Sequence, residues 1–351
     1  MKKILVDSQI KYNSCKLKIL PESVSYSDAE VREKLLQLDK TCWIVKNAES
    51  IGVCLKEDVD ESSSGLSMNL LAQALPLKTT QLGDPEFIKF YGLKMAYMTG
   101  SMANGIASEN LVISSGKVGL LSSFGAAGLL PSNIEQAINN IQKALPDGPY
   151  AFNLIHSPSE DAIERAAVDL YLKYRVRTVE ASAFLGLTPN IVRYRVAGLR
   201  RNSQNQVEIT NRVIAKISRA EVASKFMAPA PEAILNRLVE EKSITREQAQ
   251  LAKVVPMADD ITVEADSGGH TDNRPLVSLL PAIISLRDKF QEQYEYSHII
   301  RVGAAGGIGS PASALAAFMM GAAYVVTGSV NQACIEAAAS EHSKGLLAQA
   351  E

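Results

Sequence analysis

From Lys94 onward the chain alternates short runs rich in β-branched and aromatic residues with longer runs of helical period, and it does so eight times. Expected strands are 94–98, 118–122, 150–155, 178–184, 212–217, 261–265, 298–302 and 324–327. Expected helices between and after them are 106–115, 132–145, 159–174, 188–199, 276–289, 311–320 and 331–349. Each crossover helix returns the chain to the same end of the sheet, so successive strands must run parallel. Eight such units predict an α/β fold, a closed (β/α)8 TIM barrel rather than an open doubly wound sheet.

Residues 1–93 precede the first barrel strand, include the polar spacer 57–64, and are expected to form a small N-terminal module of mixed structure. Residues 94–351 then form the barrel. Between the fifth and sixth strands, 220–255 is far longer than one crossover needs. It carries Pro229 and Pro231, and a helix start at Thr245 with Gln248 three positions on. A helical insertion is expected there, on the face where barrel active sites sit, as a lid or a substrate wall.

Lys and Arg (36) nearly balance Asp and Glu (38), a formal charge of −2, so there is no basic footprint for nucleic acid. Hydrophobic residues reach 46%, yet the apolar stretch 312–326 is broken by glycine, serine and tyrosine, short of the ~20 residues a membrane span needs. The N-terminus has lysines but no long apolar core, and a cytoplasmic protein that does not enter membranes is expected. Cys15, Cys42, Cys54 and Cys334 show no C-x-x-C spacing, and His156, His270, His298 and His342 are scattered. No metal site is expected, and the thiols read as buried or surface groups.

The sixth strand runs into EADSGGHTDNRP at 264–275. Gly268 and Gly269 let backbone amides approach a flat ligand closely, and His270 can donate or accept a proton near neutral pH. The seventh strand runs into GAAGGIGSPA at 303–312, and the eighth ends in Thr327, Gly328 and Ser329. In barrels of this class the ends of the last two strands commonly bind phosphate. Gly307, Gly309 and Ala312 also fit a Rossmann fingerprint, but no acidic residue follows before Glu336. Turns that serve only the chain's course are the plain alternative. A phosphate site beside Gly-Gly-His suits flavin mononucleotide (FMN), with the phosphate on Gly306, Gly307, Gly328 and Ser329 and the ring across the mouth near His270.

Lys216 and Ser218 share one face of the fifth strand. If that face is inward, Lys216 either reaches substrate or flavin or pairs with a carboxylate such as Glu180 or Glu264. Asp272 is expected to cap the sixth helix. Ser267 lies near His270 and Asp266 but lacks a G-x-S-x-G elbow, so hydrolysis is discounted. Arg193, Arg195, Arg200 and Arg201 are expected to form a solvated basic face remote from the flavin.

The stretches ITVEADSGGHTDNRPL, RVIAKISRAEVASKFMAPAP, VGAAGGIG and TGSVNQACIEA, with GSMANGIASENLV and FNLIHSP, resemble a known family. It is the flavin-dependent enoyl reductases of polyunsaturated fatty acid synthases and trans-acyltransferase polyketide synthases, within the nitronate monooxygenase-like barrels. The resemblance covers most of the chain from about residue 80. It implies bound FMN, its reduction by NADPH, and hydride transfer to the β-carbon of a 2-enoyl thioester on an acyl carrier protein. The expected partners are that acyl carrier protein and its megasynthase complex, on which the chain would act in trans, with a homodimer as the self-association to test for. Carried over by position, Gly100, Met102, Ala103 and Asn153 contact the flavin ring or ribityl chain, and Gly268 and Gly269 the ring edge. Ala305, Gly306 and Gly307 with Gly328 and Ser329 take the phosphate, and His270 is catalytic. Family members continue past the eighth barrel helix, whereas this sequence ends at Glu351, so contacts made by such a part fall beyond it. The alternative activity is a nitronate monooxygenase with the same FMN and His270 as base. A flavin-binding scaffold without chemistry is a third reading, against which an intact His270 weighs.

Overall fold

The computed structural model describes residues 16–48, 50–59, 65–267 and 271–349. The chain divides into two compact units between Gln81 and Leu82.

In the first unit β1 (Lys16–Ile19), β2 (Cys42–Lys46), β3 (Ile51–Leu55) and β4 (Leu66–Ala74) form an antiparallel sheet in the order β1-β4-β2-β3. Helix α1 (Asp28–Leu35) starts at Ser27, whose side chain accepts from the Glu30 N–H. Alternation sends Ile19, Val45, Cys54 and Met68 into one cluster and Cys42, Val53 and Leu55 into another that includes Val31 of α1, so the sheet buries both faces. Burial pushes the Cys54 thiol up to about 11, which keeps it an inert core group.

The second unit is the expected barrel. Its strands are β5 (Tyr97–Thr99), β6 (Leu121–Phe124), β7 (Ala151–Ile155) and β8 (Thr178–Ser182), then, after a hairpin of β9 (Leu199–Arg201) and β10 (Val207–Ile209), β11 (Arg212–Ile217), β12 (Asp260–Glu264), β13 (Arg301–Ala305) and β14 (Val325–Thr327). Every barrel neighbour is parallel, and β14 pairs with β5 to close the ring. Helices α3 (Glu109–Lys117), α4 (Pro131–Ala144), α5 (Asp161–Lys173), α6 (Pro189–Ala197), α7 (Ala220–Met227), α10 (Leu276–Tyr294) and α11 (Pro311–Met319) follow the strands in turn. The first, second and seventh strands begin later than expected; before β6 the chain still turns through Gly119, at a φ of +81°. The fourth ends early because Ala183 adopts a left-handed φ of 62°, which no strand continues. The single helix expected over 331–349 is two, α12 (Ser329–Gln332) and α13 (Glu341–Leu347), the second begun by the side chain of Ser340.

The segment expected to end the N-terminal module instead plugs the barrel's base. Helix α2 (Pro85–Tyr91) is started by Asp84, which accepts from the Glu86 N–H, and stopped by Gly92 at a φ of +70°. Its Tyr91 hydroxyl donates to Asp260 Oδ2 at 2.6 Å, and Arg301 binds the same carboxylate through Nε at 2.6 Å and Nη2 at 2.9 Å. Phe87 stacks on Tyr324 with centroids 4.1 Å apart. The expected division at 93/94 therefore falls after a helix whose packing is with the barrel.

Within the 220–255 insertion, α8 (Glu232–Glu240) and α9 (Arg246–Leu251) pack on α6, and Gln248 Nε2 donates to Ala197 O at the end of α6. That end leads into the start of β11, so α9 lies outside the ring toward its base, while Arg237 of α8 feels the charge of Asp161 at the start of α5. Arg195 is not solvated: it is 1% exposed and grips Asp259 through Nη1 at 2.6 Å and Nη2 at 3.1 Å. Arg200 does stay at the surface, paired with Glu208 across the β9–β10 hairpin.

Candidate active site

With α2 seated at the base, functional groups gather at the C-terminal ends of the strands, as is usual in this fold. Ile214, Met98, Leu121, Ala151 and Tyr324 share the interior cluster, and period-two alternation therefore turns Lys216 on β11 inward. Register pairs Glu180 of β8 with Ile214 and Asn153 of β7 with Glu180, so both also face in.

Of the two roles open to Lys216, pairing with a carboxylate is present. Its Nζ lies 3.1 Å from Glu264 Oε1 of β12, with both side chains mostly buried. Burial pulls the Lys216 ammonium down, but the charges of Glu180 and Glu264 and the bond to Glu264 together outweigh it and hold the pKa above that of an ordinary lysine. Lys216 is thus a fixed positive charge at neutral pH, inside the barrel and within the field of two carboxylates.

Glu180 ties the other inward groups together. Its Oε2 accepts the Ser101 N–H at 3.0 Å, while Asn153 Nδ2 donates to its backbone oxygen at 3.2 Å and to Ser182 Oγ at 2.9 Å. Gly100 donates to Thr327 O at 2.8 Å, and a Cβ there would stand 2.9 Å from Val326 Cγ1, so the chain passes only without a side chain. Met102 and Ala103 follow in a loop that packs tightly on the next one: a Cβ on Gly125 would lie 1.7 Å from Met102 O.

At the ends of β13 and β14 the expected phosphate residues stand on neighbouring strands. Ala305 O accepts the Ala265 N–H at 2.9 Å, and Gly306, at a φ of +84°, is wedged so that a Cβ would meet Ala265 at 2.8 Å. Gly307, at a φ of +70°, and Gly328 differ: a Cβ on either would meet no protein atom within 4 Å. Open space at two glycines on neighbouring strand ends is what close approach of a bulky anionic group requires. These residues fit an FMN phosphate on that ground.

Gly268, Gly269 and His270 lie outside the described residues. The flanks of that segment are braced. Asp266 N–H donates to Arg274 O at 3.1 Å, and Asp272 accepts from Arg219 Nε and Nη2, each at 2.7 Å, and from Ser218 Oγ at 3.0 Å. Asp272 does not cap the sixth helix, whose N-cap is Pro275; the Arg219 bonds instead hold its carboxyl down to about 2. Near the same end His156 Nδ1 sits 3.0 Å from Glu164 Oε2. Its ring stacks on Phe184 of the outer core, so it turns away from the barrel axis. Among the described residues no group of three or more His, Cys, Asp or Glu could hold a metal ion, and no helix is long and apolar enough to cross a membrane.

Glu180 is the site residue that motif reasoning undervalued, treating it only as a partner for Lys216. Its inward parity on a buried strand, in the run VEAS, was the available signal.

Residues 20–76 match the family model described as the fatty acid synthase subunit PfaD N-terminal domain. A polyunsaturated fatty acid synthase component of Thraustochytrium sp. is 46% identical over 92% of this chain and 21% of its own length. The polyketide biosynthesis protein PksE of Bacillus subtilis is 49% identical over 76% of this chain and 35% of its own. The solved enoyl reductase domain of MlnA, from the macrolactin biosynthesis cluster of Bacillus amyloliquefaciens, superposes with a TM-score of 0.75 at 41% identity, covering 78% of this chain and 62% of that one. The chain belongs to the enoyl reductase family of polyunsaturated fatty acid synthases and trans-acyltransferase polyketide synthases. As a member of that family it spans about a fifth and about a third of the two curated relatives. The PfaD model falls within the first unit.

Proposed function

We propose that this protein is an FMN-dependent, NADPH-using enoyl reductase that acts in trans on a cytoplasmic synthase and saturates a 2-enoyl thioester carried by an acyl carrier protein. The observation that carries the reading is the conjunction, at one end of the barrel, of an inward Lys216 charged at neutral pH and two glycines with open space beside them, in a chain 41% identical to a solved enoyl reductase domain.

Gly306, Gly307, Gly328, Ser329 and Ala305 would hold the FMN phosphate, and Gly100, Met102, Ala103, Asn153, Gly268 and Gly269 its ring and ribityl chain. When bound, FMN would supply the hydride that it takes from NADPH. Hydride arriving at the β-carbon leaves negative charge on the carbonyl oxygen and α-carbon. The Lys216 ammonium stabilises negative charge in this interior, where its field is weakly screened. His270 gives the proton that the α-carbon needs. Glu264 keeps the lysine charged and fixed, so it need not reorganise during the reaction.

No feature of the site favours the nitronate monooxygenase reading. Anaerobic mixing with NADPH, followed by a crotonyl thioester, separates the readings: a reductase bleaches its flavin and is reoxidised by the thioester. A nitronate oxidase responds to neither and needs oxygen and an alkyl nitronate; a scaffold turns over nothing.

A further inference from the structure

Four buried side-chain polar atoms among the described residues have no hydrogen-bond partner, and Glu180 Oε1 is the only carboxylate oxygen of the four. Glu180 is 0% exposed. A carboxylate removed from water and left with an unfilled oxygen is expensive, so a barrel keeps one only where something outside the chain donates to it. Lys216 is not that donor in this structure: its Nζ lies 3.1 Å from Glu264 Oε1 and makes no bond to Glu180 Oε1. The sister oxygen, Oε2, is already taken by the Ser101 N–H at 3.0 Å. Beside Oε1 stands Gly100, where even a Cβ would be 3.7 Å away, so the chain offers bare backbone on that side.

We propose that Glu180 positions the cofactor, accepting through Oε1 a hydrogen bond from the imide N3–H or the ribityl 2′-hydroxyl of bound FMN. This rests on the FMN reading above. The chemistry selects the cofactor over the acyl substrate. An enoyl thioester offers only acceptors near its reacting carbons, and a carboxylate facing them would oppose the negative charge that develops there. FMN offers donors of two kinds, the imide N3–H of the ring and the hydroxyls of the ribityl chain. Glu180 is therefore a recognition residue, and Lys216 the charge-stabilising one, although the two share a field.

Glu180→Gln is the decisive variant because it keeps shape and volume while removing one acceptor. A glutamine can accept from Ser101 N–H or from the cofactor, never from both, since its other terminus is an NH2 donor. Apoprotein would be titrated with FMN, N3-methyl-FMN and 2′-deoxy-FMN, following flavin fluorescence, so that no turnover is needed. The parent should bind one of the two analogues about 10- to 100-fold more weakly than FMN, the usual range for losing a hydrogen bond to a charged acceptor. Glu180→Gln should weaken FMN by a similar factor and no longer discriminate against that analogue. Loss with N3-methyl-FMN assigns the imide, and loss with 2′-deoxy-FMN the ribityl chain. Equal binding of all three flavins by the parent, or discrimination that survives in Glu180→Gln, overturns the proposal. Failure of the parent to bind FMN at all would instead remove the reading on which it rests.

Discussion

Lys216 and Glu264 stand on adjacent parallel strands with Nζ and Oε1 3.1 Å apart, and together they carry a buried charge pair across the end of a barrel sealed at its base by α2. Register sets Lys216 opposite Thr262, so its long side chain leans toward the mouth to reach a residue two positions further along β12.

Lys216→Met should destabilise the fold by about 2–4 kcal/mol, because it leaves Glu264 and Glu180 buried without their cation. The pKa of Lys216 is raised in the folded protein, so its stabilisation is complete below the unfolded lysine value of about 10.4 and fades as pH rises through the folded value. Urea unfolding of parent and variant should therefore show a constant gap up to about pH 10 that narrows above it. A gap that opens only at high pH would contradict the pairing.

Arg195→Met should cost about 3–5 kcal/mol while leaving cofactor binding unchanged, since it strands the buried Asp259 carboxylate far from the mouth. Asp259 is held below the ordinary aspartate range despite its burial, by Arg195. Its contribution is thus present above the unfolded pKa and lost as pH falls through the folded one. Denaturant midpoints measured alongside flavin content check both halves of the statement.

That pair also marks where sequence reading stops. Eight strands and their parallel order followed from local periodicity, because barrel geometry repeats what each strand-helix unit does alone, whereas alternation set Lys216 and Ser218 on one face without saying which way it points. Arg195 and Asp259 are 64 positions apart, and nothing in the neighbourhood of either signals the other. The same holds for α2, whose short apolar face acquires meaning only once Asp260, Arg301 and Tyr324 meet at the barrel's base. The insertion was visible as excess length, but length carries no direction, and only the bond of Gln248 to Ala197 O carries α9 toward the base. Asp272 resembled a helix cap by spacing, yet Arg219 offers it a bidentate partner that a helix N-terminus cannot match.

Gly328→Val tests the phosphate assignment with the least disturbance to folding. Gly307 sits at a φ of +70°, so any side chain there strains the backbone, whereas Gly328 has a negative φ and open space beyond its Cα. The variant should melt near the parent temperature but bind FMN about tenfold or more weakly, as a side chain takes the space of roughly 1.4 kcal/mol of contact. Full FMN occupancy at parent affinity would remove this end of the barrel from the site.

His270→Ala should retain FMN and largely preserve the NADPH half-reaction, while slowing the enoyl half-reaction by roughly 100-fold, the scale of general acid catalysis. Reoxidation of the variant by enoyl thioester at the parent rate would assign the α-carbon proton elsewhere.

Anaerobic stopped-flow of the FMN-loaded protein tests the central claim most directly. NADPH should bleach the flavin absorbance in the first mix, and a crotonyl thioester should restore it in the second, with one equivalent of saturated thioester formed per flavin. A flavin that NADPH does not reduce, or a reduced flavin that only oxygen reoxidises, would contradict an enoyl reductase.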